Sequence, residues 1–289
     1  MSAYRSVRLL LVPLSSLVIA LPVNISTVNA ADSGTGSRSD LATASPHIPV
    51  GRHPERNWMG STVLKYEPGI ANPRPAPRPA TTSLDGVDVS SYQRTVNWGS
   101  LWNKGVRFAY VKATEGNYYR NPYYTQQYNG SSNVGMIRGA YHFATPNDSS
   151  GTNQANYFVD RGGKWLRDGK TLPGVLDIEY NPYGSSCYGK SQTAMVSWIR
   201  DFTRTYKART GRNAVIYTTT DWWRRCTGNS SSLAATNPLW IAHYNTTPGT
   251  LPRGWQYYTF WQYTSSGPIV GDHNKFNGSS SRLKALATG

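Results

Sequence analysis

Acidic residues are scarce in this chain. Against 30 Lys and Arg stand 15 Asp and Glu, a formal charge of +15 over 289 residues. A balance this positive favours anionic polymers such as nucleic acid, membrane surfaces or acidic wall polymers. The basic residues are scattered with no run of five, so the clustered footprint of a nucleic-acid binder is missing. The charge is therefore read only as long-range attraction to an anionic surface. Histidine is also sparse. His142, His243 and His273 show no paired ligand spacing, which argues against a zinc site. There is no Gly-x-Ser-x-Gly elbow and no glycine-rich phosphate loop after a strand, which argues against a serine hydrolase and a nucleotide enzyme. No apolar run follows residue 23, so no transmembrane domain is expected.

Aromatic rings, by contrast, are abundant, with 10 Trp and 20 Tyr. Such rings fill cores, and they also serve as flat platforms for sugars, apolar on the face and polar at the edge.

Three regions succeed one another. Residues 1–30 have the parts of a signal peptide: Arg5 and Arg8, an apolar run from Leu9 to Val23, and Val28-Asn29-Ala30 before a cut. Residues 31–83 are expected to be a propeptide or flexible linker with little fixed structure. They are Gly/Ser-rich from Ser33 to Ser39 and carry a polyproline-type spacer from Pro73 to Pro79. Residues 84–289 are expected to form the globular domain. The only cysteines, Cys187 and Cys226, are expected to pair in a secreted chain, with a thiol nucleophile as the alternative.

Seven short runs in this domain read as buried strands: Gly86–Ser90, Val106–Ala113, Ile137–Phe143, Gly174–Glu179, Ala214–Thr219, Leu239–His243 and Thr259–Tyr263. The clearest helix is Ser191–Arg209. Its apolar stripe is Ala194, Met195, Trp198, Ile199, Phe202 and Tyr206, with Ser191 to cap it and Gly211 to end it. Strands alternating with helices predict a mostly parallel sheet, here an irregular (β/α) barrel of the TIM type. Helices are short or missing in its later part.

The few acids gather where such a barrel builds its sites. Asp85, Asp88, Glu115, Asp177, Glu179 and Asp272 sit at or next to the C-terminal ends of the expected strands. In Asp177-Ile178-Glu179 the two acids point to the same side of a strand, about 6–7 Å apart along the chain. Each raises the other's pKa, so one stays protonated as a general acid. Glycoside hydrolysis needs such an acid beside a second negative group. The same spacing also fits a metal site or a structural pair, and the histidine spacing favours the glycosidase. Asp88, flanked by valines, is an expensive choice without a role. Asp85 reads as a turn residue, and Glu115 as lining the cleft or pairing with Lys112. Asp272 reads on composition as an ordinary turn aspartate.

These residues resemble a known family. Gly86–Gln93, Phe108–Gly116, Arg138–Phe143, Leu176–Glu179 and Phe260–Tyr263, in that order, are similar to the family 25 glycoside hydrolases, the muramidase type of lysozyme. The resemblance runs from about Leu84 to the C-terminus. It implies an irregular β/α barrel that hydrolyses the β-1,4 bond between N-acetylmuramic acid and N-acetylglucosamine in peptidoglycan. It gives Glu179 the general acid/base role. Asp177 becomes its partner, orienting the substrate's 2-acetamido group or stabilising the cation. Asp88 and Asp272 become the remaining acids of the site. Tyr141, Glu115, Tyr217, Trp261 and Gln262 would line the sugar cleft, and Cys187–Cys226 would match the disulfide of close relatives. The resemblance implies no metal and no organic cofactor. The expected partners are peptidoglycan glycan strands and an anionic cell-wall surface, for a secreted monomer without nucleic acid or stable membrane insertion. Three rival readings are a chitinase-like glycosidase, a non-catalytic peptidoglycan-binding protein, and a metal amidase lacking its ligands.

Overall fold

The computed structural model describes residues 47–68 and 82–289. The expected signal peptide, the Gly/Ser-rich stretch and the Pro-rich spacer lie outside the described residues.

Eight strands close a barrel. They are β1 (Leu84–Val89), β2 (Val106–Glu115), β4 (Ile137–Phe143), β5 (Val175–Asp177), β6 (Val215–Thr218), β7 (Leu239–Ala242), β8 (Phe260–Thr264) and β9 (Asp272–Phe276). The short β3 (Tyr119–Arg120) only folds back on β2. Neighbours from β1 round to β8 pair in parallel. Strand β9 runs antiparallel to both β8 and β1 and closes the ring. Sequence reading finds the other seven barrel strands and misses β9.

Side-chain alternation sets two cores. In β1, Val87 and Val89 face outward and Asp88 faces in. Likewise Leu176, Ile178, Ile216 and Ile241 pack under the helices, while Val175, Val215, Tyr217 and Trp240 fill the lumen. The covering helices are α2 (Trp98–Asn103), α3 (Tyr124–Asn133), α4 (Gly151–Phe158), α5 (Gln192–Thr210), α6 (Thr220–Thr227) and α7 (Ser280–Thr288). None lies between β7 and β8 or between β8 and β9, as the sequence predicts. In α5 the Ser191 side chain accepts from the Ala194 amide, and Gly211 ends the helix in the left-handed region. Its buried stripe holds Val196 where Ala194 was expected, and Ala194 is exposed.

The expected lack of fixed structure does not hold throughout 31–83. Residues 47–68 form a 3-10 turn (Pro54–Arg56) and the one-turn helix α1 (Val63–Tyr66). Met59 and Val63 are fully buried in the lumen core. What the sequence shows as poor periodicity is a segment that folds against the barrel and has no core of its own.

Candidate active site

The lumen is built in storeys. Its floor is aromatic: Phe108, Phe260 and Phe276 pack at tilted and edge-on angles with centroids 5.3 to 6.5 Å apart, joined by Tyr110 and Trp240. Glycine makes room for them, because a Cβ at Gly86 would strike Phe108 and one at Gly139 would strike Tyr110. Towards the C-terminal ends of the parallel strands the inward residues turn polar. Every second position there supplies one group: Asp88, Lys112, Tyr141, Asp177, Glu179, Tyr217, Gln262 and Asn274.

All four predicted acids meet in this upper storey and are buried. Asp88 Oδ2 accepts from Gln262 Nε2 at 2.9 Å and from Asn274 Nδ2 at 2.8 Å. Burial raises its pKa to about 7, against those two hydrogen bonds and with the help of the Glu179 charge. Asp272 is not in a turn. It opens β9 directly opposite Asp88, with Gln262 Nε2 3.3 Å from its Oδ2. Burial and then the charges of Asp88 and Glu179 hold it well above the carboxylate range. Asp85 likewise sits in β1, ion-paired across the ladder with Lys275.

Asp177 and Glu179 carry the chemistry. No amide, hydroxyl or ammonium donor reaches either oxygen of Asp177; its hydrogen bond is with the Glu179 carboxyl, which raises Asp177 and lowers Glu179. Burial and then the Glu179 charge push it well up, with only the Lys112 charge opposing at a distance. Glu179 accepts from the Gly60 amide at 2.6 Å and from Thr62 Oγ1 at 2.5 Å. Burial raises it to about 7 while those bonds draw it down. Four carboxyls in one dry space cannot all ionise, so the cluster holds protons near neutrality. A proton donor beside a residual negative charge is what cleavage at an anomeric carbon requires.

Of the predicted lining residues, Tyr141, Tyr217 and Gln262 face the lumen, and Glu115 sits at its rim. Tyr217 Oη donates to Gln262 Oε1 at 2.6 Å. Glu115 is paired with the fully buried Lys112 at 2.6 Å, and Tyr118 and Tyr183 also donate to it. Trp261 is a correction. It directly precedes the inward Gln262 in β8, so it points to the helical side. There it packs in the outer core and donates to the His243 carbonyl at 2.8 Å. The pairing of Glu115 with Lys112 offered by the sequence is present. Two groups escape the sequence reading. Asn274, which holds Asp88, lies in a strand too polar to recognise. Tyr244, which donates to Gln262 Oε1 at 3.0 Å, follows β7 without a motif. His142 is structural: it lies between Phe158 and Phe202, bonded to Thr114 and Gln154, and burial lowers its pKa to about 3.

Cys187 and Cys226 form a disulfide, Cα atoms 5.3 Å apart, which removes the thiol-nucleophile alternative. It ties the loop that follows Glu179 to helix α6.

Comparison with known proteins places these features. The model of the glycosyl hydrolases family 25 matches residues 87–272. Lysozyme M1 of Streptomyces globisporus is 53% identical over 215 residues, covering 72% of this chain and 73% of its own. The N,O-diacetylmuramidase of a Chalaropsis species is 46% identical over 72% of this chain and all of its own length. The solved muramidase of Acremonium alcalophilum is 55% identical with a TM-score of 0.70. It covers 71% of this chain and 99% of its own, a share matching the length of the barrel region.

Proposed function

The chain belongs to the glycosyl hydrolases of family 25, and from that premise we infer how its barrel works as a lysozyme. It hydrolyses the β-1,4 bond between N-acetylmuramic acid and N-acetylglucosamine in peptidoglycan. Glu179 is the general acid/base, protonating the leaving oxygen and later activating water. The observation that carries this is the buried Asp177–Glu179 pair on one side of the lumen, in which Asp177 has no partner but the other carboxyl. An acid that no fixed donor in the protein engages suits one that meets a donor on the substrate. Asp177 therefore holds the N–H of the 2-acetamido group, whose carbonyl oxygen attacks the anomeric carbon as the glycosidic bond breaks. Water then opens the cyclic intermediate, and the product keeps its anomeric configuration. Asp88 and Asp272 are the remaining acids of the site, and Tyr141, Tyr217, Glu115 and Gln262 bind sugar hydroxyls.

The test is release of reducing ends from purified peptidoglycan by the 84–289 barrel beside its Glu179→Gln form. The variant loses about two or more orders of magnitude, as for a lost general acid. The new reducing ends are muramic acid, and early NMR of the product shows the retained anomer. Equal rates for the two forms would rule out Glu179, and an inverted anomer would rule out substrate assistance.

The apolar Leu9–Val23 run and the disulfide support secretion. No helix among the described residues is long and apolar enough to cross a membrane. The +15 charge supports attraction to an anionic wall.

A further inference from the structure

Residues 47–68 hydrogen-bond to four of the groups assigned to the sugar: Glu179, Tyr141, Glu115 and Gln262. Glu179 accepts from the Gly60 amide and the Thr62 hydroxyl. The Met59 amide donates to Tyr141 Oη at 3.2 Å, and Gln262 Nε2 donates to the Met59 carbonyl at 2.9 Å. Tyr244 Oη shares its one proton between Gln262 Oε1 and the Gly60 carbonyl oxygen, the latter 3.2 Å away. At the rim, Asn57 Nδ2 donates to Glu115 at 3.1 Å, and Lys112 Nζ donates to the carbonyls of Pro54 and Asn57. The Met59 side chain sits fully buried in the lumen core. Flanking contacts hold the segment down. Tyr66 stacks on Tyr180 at 4.4 Å and 10°, and Arg52 pairs with Asp148 at 2.5 Å.

We propose that residues 47–68 are a built-in inhibitor that occupies the glycan-binding cleft, so that the barrel cuts only once this segment has left. The proposal rests on the reading of Glu179 as the acid. Peptide amides and a hydroxyl stand where sugar amides and hydroxyls would bind, and the two occupants exclude each other. The relatives' lengths show that the barrel is complete without the segment. Its donors on Glu179 also favour the ionised carboxylate, the wrong form for a proton donor.

Gly60 is the tightest point. Its φ is +90°, and a Cβ there would stand 2.5 Å from Gln262 Oε1 and 2.7 Å from Tyr217 Oη. A Gly60→Val change therefore expels the segment without altering any barrel residue.

The experiment compares residues 31–289, the same chain carrying Gly60→Val, and the 84–289 barrel on purified peptidoglycan. A synthetic 47–68 peptide is titrated into the barrel by calorimetry and added to its assay. A tethered segment at roughly millimolar effective concentration, with a free-peptide Kd of about 10 μM, holds activity down about 100-fold. The expected result is that deficit in 31–289, its relief by Gly60→Val, and a peptide that binds and raises KM with kcat unchanged. Equal activity of 31–289 and the barrel, with no peptide binding, overturns the proposal. Should the barrel fail to fold alone, Gly60→Val in 31–289 decides: a rise of tenfold or more supports inhibition, and no rise overturns it. A folded barrel that binds the peptide but cuts nothing leaves the segment as a cleft ligand and defeats instead the assignment of Glu179.

Discussion

Asp177 is a buried acid whose one partner is another acid, a costly arrangement for the fold and a useful one for catalysis. Asp177→Asn keeps its shape and removes its titratable carboxyl. The expected outcome is a Tm unchanged or higher, with kcat down roughly 100-fold as for other lost electrostatic contacts to a transition state. Unchanged activity with a lower Tm would make Asp177 a structural residue. Its visibility in the sequence has the same origin as its cost. An acid inside an apolar strand stands out because burial without a role is penalised, which is how Asp88, Asp177 and Glu179 are found. Trp261 shows the limit of such reading. The family resemblance places it in the sugar cleft, yet strand parity is decided by one position, and its neighbour Gln262 holds the inward place. On composition Asp272 looks like a turn residue because glycine precedes it and polar residues follow, whereas the family resemblance puts it among the acids of the site. In the fold it pairs with Asp88.

At the scale of elements, legibility follows periodicity. Helix α5 is read almost to its ends because it carries both a stripe and its caps. Removing the Ser191 cap by Ser191→Ala costs about 1 kcal/mol, which in a domain of this size lowers Tm by roughly 2–4 °C. Thermal melts check this, with activity per folded molecule unchanged. A drop in that specific activity would mean that the cap positions the Glu179 loop through Cys187. Strand β9 escapes because neither of its faces is apolar. Asp272 and Asn274 face the site, while His273 and Lys275 face outward, the latter onto Asp85. Hydrophobic alternation cannot mark a strand whose inner face is the active site. Segment 47–68 escapes for a related reason, since it borrows the barrel's interior.

For the whole molecule the acid cluster sets a pH dependence. The carboxyls of Asp88 and Glu179 are raised to about 7, and those of Asp177 and Asp272 are also held well above the carboxylate range, in each case first of all by burial. Between about pH 4 and pH 7 the folded chain therefore keeps protons that the unfolded chain has released. That contribution is fully present below the unfolded pKa values and is lost as pH rises through the folded ones. His142 and His273, lowered by burial, act in the opposite sense as pH falls below about 6.5, but they are two groups against four. Melting of 31–289 across pH 4–8 is expected to show Tm falling as pH rises. The slope is smaller in the 84–289 barrel, where water reaches the carboxyls. A Tm that rises with pH in 31–289 would show that the cluster is already ionised in the folded state.

The aromatic floor has its own consequence. With Phe108, Phe260, Phe276, Tyr110 and Trp240 sealing the lumen below the acids, the barrel is a well and not a tunnel. A polymer cannot be threaded through it. A glycan strand must be straddled from the side, with both of its ends left outside, so no free terminus has to be found before the first cut.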